Sequence, residues 1–131
     1  MMDTNPVVSF ELYVDDLERA RAFYETVLGI TLRPVTTPPG AATATEMQML
    51  AFPAEVTRTG TGGVLVKMNG MSPGIGGTLI YFATDDCEVQ QERAKKAGGQ
   101  KRIDKFAMGE FGFCSLVIDT EGNVVGFNSK V

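Results

Sequence analysis

The chain has 131 residues, of which 44% are hydrophobic and 21% charged, a composition typical of one compact globular domain. Its net charge is −4, from 12 basic and 16 acidic residues, and it has no Lys/Arg cluster of the kind that binds nucleic acid phosphates. It contains no histidine, which excludes His-activated nucleophiles, His general bases and His-containing metal sites.

Hydropathy and cysteine content indicate a cytoplasmic protein. No apolar run approaches the roughly 18 residues of a membrane-spanning helix, and residues 1–6 have neither the basic stretch nor the apolar segment of a signal peptide. The two cysteines, Cys87 and Cys114, are too few for a disulfide framework. We therefore expect a cytoplasmic chain with reduced thiols, and neither a membrane nor a nucleic acid as its partner.

In chain order, the first strong segment is 7–14, a β-branched and aromatic run that predicts a strand. Apolar residues then recur at helical spacing after Asp15-Asp16, and Asp15 with Glu18 resembles a capping box. Gly29 is placed to end this helix. Strand-like segments follow at 30–34, 43–52 and 62–68.

The same order of elements returns about 70 residues later. A strand is predicted at 78–83, Asp85-Asp86 precedes a second helix, and Gly98-Gly99 ends it. Further strands are predicted at 100–105, 111–119 and 122–129, with a hairpin turn at 119–123. The constant offset predicts a duplicated βαβββ module within a single domain, 1–131. Module one spans 7–68, the linker 69–76 and module two 77–131.

A strand, Asp-Asp, a helix with Phe23-Tyr24 and a closing Gly29, repeated in tandem, resembles the vicinal oxygen chelate superfamily. This superfamily includes glyoxalases, bleomycin-resistance proteins and extradiol dioxygenases. The resemblance covers nearly the whole chain and is carried best by residues 13–24 and 111–126. It implies an α+β fold in which two tandem βαβββ modules form curved sheets around a shared cavity. It also implies a homodimer.

In metal-using members of the superfamily, the ligands lie on the first and last strand of each module. Carried onto this chain, those positions are Ser9, Leu79, Val66 and Gly126, with the last strands aligned at an offset of 60. These residues are not useful ligands for Zn, Ni, Mn or Fe. We therefore predict no metal and no cofactor, and we expect Gly126 to enlarge the cavity. Whether the protein is an enzyme stays open, since function depends on the site and not on the fold.

Strand alternation predicts which side chains line the cavity. The candidate ligand-binding residues come from the first and last strands, with one added from strand 43–52: Ser9, Glu11, Gln48, Leu79, Tyr81, Gly126 and Asn128. In strand 43–52 the pattern leaves open whether Met47, Met49 and Ala51 face inward, or Glu46, Gln48 and Leu50. The glycine-spaced segment 106–113 is either a flap over the cavity or a buried connection.

Glu11 is the candidate catalytic residue, because a carboxylate in an apolar strand is costly to bury unless it is paired. It could bind a cationic or hydroxyl-bearing ligand or act as a base. Alternatively, it pairs with a nearby Lys or Arg, or is solvated. Tyr81 and Asn128 could donate hydrogen bonds to a ligand, or could simply pack.

Three functions follow from these residues. The first is a metal-free protein of the glyoxalase/bleomycin-resistance type that binds a small apolar or amphipathic molecule between the modules. The second is a glyoxalase-like lyase or isomerase with a displaced carboxylate site around Glu11, assisted by Glu46 or Gln48. The third is a non-catalytic fold used for protein–protein contact.

Overall fold

The computed structural model describes residues 5–36, 47–76 and 78–131. The elements in chain order are β1 (Glu11–Tyr13), α1 (Leu17–Leu28), β2 (Arg33–Val35), β3 (Met47–Ala51), β4 (Val64–Met68), β5 (Ile80–Ala83), α2 (Cys87–Lys96), β6 (Gln100–Ala107), a 3-10 turn (Gly109–Phe111), β7 (Phe113–Ile118) and β8 (Val124–Ser129). The order βαβββ therefore occurs twice, which confirms the predicted α+β fold of two tandem modules. The beginning of predicted strand 43–52, including Glu46, lies outside the described residues.

Each module forms its own four-stranded sheet. The strand orders are β1-β4-β3-β2 and β5-β8-β7-β6, so β1 and β5 are both edge strands. In each sheet the first and last strands of the module pair in parallel, and the other neighbours are antiparallel. Among the described residues, no strand of one sheet pairs with a strand of the other.

Both helices begin at an equivalent aspartate. The side chain of Asp16 accepts a hydrogen bond from the backbone N–H of Arg19 at 3.0 Å, and Asp86 accepts one from Glu88 at 3.0 Å. The cap of α1 is thus one residue later than the predicted Asp15, because Asp16 has the extended backbone that a cap requires. Gly29 ends α1 with a φ of 66°, as its place in the sequence predicts.

The two modules share one hydrophobic core. The helix-facing sides of both sheets contribute apolar side chains to it, among them Leu65, Val125 and Phe127, all with 0% exposure. Aromatic rings cross the boundary between the modules. The Tyr24 ring of α1 lies 5.7 Å from the Phe82 ring of β5, measured between centroids. The two modules therefore bury apolar surface against each other, which favours their association.

The hairpin between β7 and β8 joins module two to the start of α1. The buried carboxylate of Glu121 accepts hydrogen bonds from the backbone N–H groups of Asp15 and Asp16, at 3.0 and 2.9 Å. It also pairs with the Arg19 guanidinium through two contacts of 2.7 and 3.0 Å. A carboxylate at this place is favourable because the first N–H groups of a helix carry partial positive charge.

A second set of polar contacts lies beneath this ion pair. The Tyr24 hydroxyl donates to the carboxylate of Asp119 at 2.6 Å, and Asn123 Nδ2 donates to the carbonyl of Tyr13 at 2.7 Å. Burial raises the pKa of Asp119, although the hydrogen bonds from Tyr24 and Asn123 act to lower it. The hairpin that the sequence predicts is therefore also the main polar tie between the modules.

Both cysteines, Cys87 and Cys114, are free and buried. Within the described ranges, the two helices have 12 and 10 residues, too few and too polar to cross a bilayer.

Candidate functional site

The register of the strands shows which sheet faces remain uncovered. In the first sheet, Glu11 and Tyr13 alternate with the buried Leu12, which faces the helices. In the second sheet, Tyr81 and Ala83 alternate with Phe82, which packs against the core. We call the sides away from the helices the open faces.

A hollow of about 390 Å³ lies on the open face of the second sheet. Its lining comes from β5, β7, β8 and the 3-10 turn: Tyr81, Ala83, Met108, Phe111, Cys114 and Asn128. All of these residues belong to the second sheet and its connecting turn. Aromatic rings, sulfur atoms and a methyl group make up most of this surface, and none of the described residues that line it is charged.

Tyr81 lies directly over Gly126, its partner in the β5–β8 register. A Cβ built on Gly126 would come within 2.5 Å of the Tyr81 ring carbon Cε1 and 3.1 Å of Leu116. The expectation that Gly126 enlarges the cavity is therefore wrong, because the tyrosine ring occupies that space. Gly126 instead lets the ring lie flat on the sheet, where 42% of the residue stays exposed.

Gly126→Ala is accordingly expected to displace the Tyr81 ring and to lower the free energy of unfolding by about 1 kcal/mol, a typical cost of overpacking. The same substitution in a Tyr81→Ala background should cost at least about 0.5 kcal/mol less, because the ring it meets is gone. Urea unfolding of the four proteins checks this. Equal costs in both backgrounds would show that Gly126 is not needed for the ring.

Asn128 holds the turn that forms one wall of the hollow. Its Nδ2 donates to the carbonyls of Phe111 and Phe113, at 2.8 and 3.1 Å. The turn itself has glycines with positive φ on both sides, Gly109 at 58° and Gly112 at 84°. Asn128 therefore supports the wall with its amide nitrogen, a positioning role that the sequence did not predict. Its contact with a ligand stays a prediction.

The Tyr81 hydroxyl is a polar group of the hollow that is available to a ligand. Burial and the neighbouring Cys114 raise the pKa of Tyr81 above its ordinary value of 10.0. The hydroxyl is therefore protonated at neutral pH and can both donate and accept a hydrogen bond.

Glu11 lies apart from this hollow. It is exposed on β1, and its Oε1 accepts a hydrogen bond from the Tyr13 hydroxyl at 2.6 Å, which raises the pKa of Tyr13. It lines a separate cleft of about 200 Å³ between β1 and the segment that leads into β5. The argument that Glu11 is a buried carboxylate is therefore wrong, because strand β1 is at the sheet edge and leaves it in contact with solvent.

The other predicted ligand-binding residues are spread over the surface. Ser9 and Leu79 precede β1 and β5 and are exposed. Gln48 lies opposite Lys67, on the side of the sheet that carries Leu50 and faces the helices. The other set in this strand, Met47, Met49 and Ala51, shares the open face with Glu11 and Tyr13. The structure thus brings Tyr81, Gly126 and Asn128 together, but not the remaining four.

The register also changes which residue of β4 corresponds to Gly126 of β8. Glu11 pairs with Val64 in module one, and Tyr81 pairs with Gly126 in module two, so Val64 and not Val66 corresponds to Gly126. The predicted offset of 60 is therefore wrong, and the observed one is 62. The corrected positions, Ser9, Leu79, Val64 and Gly126, offer a single hydroxyl as donor, which does not fit the metal centre of the superfamily. Among the described residues, no three Asp, Glu or Cys side chains are grouped to hold a metal ion.

The two residues that form the outer wall, Met108 and Phe111, were not among the predicted ligand-binding residues. Phe111 is 66% exposed, and Met108 is partly buried. The glycine-spaced segment 106–113 contained the signal, since it could be interpreted as a flap. The structure shows a 3-10 turn that a hydrogen bond ties to Asn128.

The first part of the chain resembles a known sequence family. Residues 7–42 match the family described as bleomycin resistance protein-like N-terminal. A comparison with curated proteins finds no match.

Solved structures share the fold over nearly the whole chain. A hypothetical protein from S. aureus is 15% identical with a TM-score of 0.63, and the match covers 98% of this chain and 99% of that one. A glyoxylase/bleomycin resistance protein/dioxygenase domain from Frankia sp. is 16% identical with a TM-score of 0.67, covering 97% of this chain and 98% of that one. Glyoxalase I from Zea mays is 19% identical with a TM-score of 0.67, but the match covers 95% of this chain and only 46% of the maize chain.

At these identities the structural likeness shows the fold, and the activities of those proteins do not transfer with it. The chain therefore shares the two-module fold of glyoxalase/bleomycin-resistance-like structures, and its residues 7–42 resemble the bleomycin resistance protein-like N-terminal family.

Proposed function

We propose that this protein binds a small apolar or amphipathic molecule in the hollow on the open face of the second sheet. The observation that carries the proposal is the lining itself, in which aromatic and sulfur-containing side chains surround one free hydroxyl, that of Tyr81. Ligand sites in proteins typically combine a mostly apolar concave surface with a few polar groups that orient the ligand.

The exposure of the two aromatic rings supports a binding role. Tyr81 and Phe111 are 42% and 66% exposed, and they face the same hollow. Contiguous exposed apolar surface on a globular protein marks sites of ligand or protein contact. Met108 adds a flexible side chain that adapts to ligands of different shape. In this reading, Tyr81 and Asn128 are the ligand-binding residues.

The proposal includes that the protein is a homodimer and lies in the cytoplasm. The open face of the second sheet leaves Leu79, Tyr81 and Ile103 exposed by 38%, 42% and 46%. A second copy could cover such a surface and close the hollow, since burial of exposed apolar area favours association. If the face served only for contact with another protein, the isolated chain would bind no small molecule there.

The alternative, a lyase or isomerase around Glu11, has less support. It requires at least two oxygen ligands that converge on one point. Gln48 is on the other side of the first sheet from Glu11, and the Oε1 atom of Glu11 already accepts a hydrogen bond from Tyr13. Glu46, the remaining candidate, lies outside the described residues.

Phe111→Ala is the variant that tests the proposed site, with 2-naphthol as a neutral amphipathic probe. We expect 2-naphthol to shift the backbone NMR signals of Tyr81, Cys114 and Asn128. The variant should weaken binding about fivefold, because an aromatic contact contributes on the order of 1 kcal/mol. Val89→Ala, a truncation of an exposed side chain on α2 outside the hollow, is the matched control and should bind as the wild type does.

Binding that is equal in Phe111→Ala and the wild type, or signals that shift elsewhere, would contradict the site. A titration of the tag-free protein with Ni²⁺ and Zn²⁺ separates the alternative function. Stoichiometric binding that is lost in Glu11→Ala would favour the lyase and overturn our choice.

A further inference from the structure

A second cleft, of about 680 Å³, opens between the modules on the helix-facing side of the sheets. Its apolar wall comes from both modules: Phe10, Leu28, Ile30, Phe52, Ile80 and Phe82. The cleft shares Tyr81 and Ala83 of the edge strand β5 with the hollow described above, but its other lining residues are different. We call it the aromatic cleft.

Three phenylalanine rings form the wall of the aromatic cleft. The ring centroids of Phe10 and Phe52 lie 5.6 Å apart, those of Phe52 and Phe82 5.4 Å, and those of Phe10 and Phe82 6.3 Å. Phe10 and Phe82 remain partly exposed toward the cleft. Such rings present electron-rich faces, which attract a cation placed over them at close range.

Gln90 of α2 lines the same cleft and carries a buried acceptor without a partner. Among the residues that the structure describes, its Oε1 is the one buried side-chain nitrogen or oxygen atom that has no hydrogen-bond partner. A buried acceptor without a partner costs free energy, so the large majority of such atoms in folded proteins are paired. A ligand with an N–H or O–H group would supply the missing donor.

The charge of the lining points to the class of that donor. Asp85 lines the cleft, and no lysine or arginine in the described part of the chain does. Within the described ranges, the Asp85 carboxylate forms no ion pair. Asp85 and Gln90 both carry acceptor oxygens. The chain as a whole has a net charge of −4. The arrangement favours a donor that is positively charged.

We propose that the aromatic cleft binds a small apolar molecule that carries a protonated amine. The apolar part packs against Phe10, Phe52 and Phe82, and the ammonium group donates hydrogen bonds to Gln90 Oε1 and pairs with Asp85. None of the five side chains that hold this ligand lines the hollow, so the inference does not depend on the proposed function.

The test uses 2-phenylethylamine and its neutral analogue 2-phenylethanol, titrated into the wild-type protein by calorimetry and by NMR. The amine should bind one molecule per chain and at least tenfold more tightly than the alcohol, because only the amine gains a charged hydrogen bond and the ion pair. Its signals should map to Leu28, Ile30 and Ile80. Equal affinity for the two compounds, or shifts confined to the hollow residues Phe111, Cys114 and Asn128, would overturn the proposal.

Two variants separate the contributions of Gln90 and Asp85 to amine binding. Gln90→Leu removes the acceptor and should weaken amine binding about tenfold, while Asp85→Asn should weaken it about threefold, as expected for an exposed charge pair. Glu88→Gln makes the same charge change on α2 outside the cleft and should leave the affinity unchanged. Asp85 is exposed, so Asp85→Asn stays informative even if Gln90→Leu fails to fold. Wild-type affinity in Asp85→Asn would overturn the role of the ion pair and the proposal with it.

Discussion

Glu121→Ala is expected to lower the free energy of unfolding by about 2–4 kcal/mol, one of the two largest effects we predict. The Glu121 side chain has 0% exposure, and its removal leaves the backbone N–H groups of Asp15 and Asp16 without their acceptor. Arg19 contributes less to the loss, because its side chain is 52% exposed and can turn to water. Urea unfolding measures the change. Glu18→Ala, at a side chain 77% exposed on the same helix, is the control and should change stability by less than about 0.5 kcal/mol.

The same carboxylate predicts a dependence on pH. Burial acts to raise the pKa of Glu121, but the hydrogen bonds from Arg19, Asp16, Thr120 and Asp15 hold it below its ordinary value of 4.5. Its charge therefore stabilises the fold fully above pH 4.5, and this contribution is lost as the pH falls through the lowered pKa. The stability difference between the wild type and Glu121→Gln should be full at neutral pH and shrink in acid. A difference that is constant across this range would contradict the assignment.

Gly112→Ala is expected to lower the free energy of unfolding by about 2–4 kcal/mol and to abolish ligand binding in the hollow. Gly112 has a φ of 84°, which is unfavourable for alanine, and a Cβ there would overlap the carbonyl oxygen of Ser129. Backbone cannot move aside as a side chain can, so the turn must detach from β8. The wall formed by Phe111 would move with it.

Gly109→Ala separates the cost of the unfavourable φ from the cost of the overlap with Ser129. Gly109 belongs to the same turn and has a φ of 58°, but a Cβ there would meet nothing within 4 Å. Gly109→Ala should therefore lower the free energy of unfolding only by the cost of a positive φ in alanine, on the order of 1 kcal/mol. Urea unfolding and the 2-naphthol titration, applied to both variants, check the prediction. Similar effects of the two substitutions would show that contact with Ser129 is unimportant.

The repeated module could be predicted because its signals are local. A cap, a closing glycine and a hairpin turn each depend on a few consecutive residues, and the constant spacing of Asp16 and Asp86 links the two copies. The helices, the hairpin and the βαβββ order all follow from such signals. The cap of α1 was misplaced by one residue, since Asp15 and Asp16 are equally good cap residues in sequence.

The site was predicted less completely because it depends on register. The pattern of strand 43–52 is compatible with either face, and only its pairing with β4 shows that Gln48 faces away from Glu11. In the same way, only the β1–β4 and β5–β8 pairings show that Val64 is the counterpart of Gly126. The residue type is the same at either position, so the argument against a superfamily metal centre survives the correction.

For this protein, the sequence by itself determined the fold class, the duplication and the lack of histidine chemistry, because composition and short-range spacing are written directly in the chain. The tertiary structure decided which side chains meet. It placed the Tyr81 ring over Gly126, tied Asn128 to the turn at Phe111 and left Gln90 Oε1 unpaired beside three phenylalanine rings. These contacts join residues that are distant in sequence, and their geometry depends on strand register and side-chain packing, which no local pattern specifies.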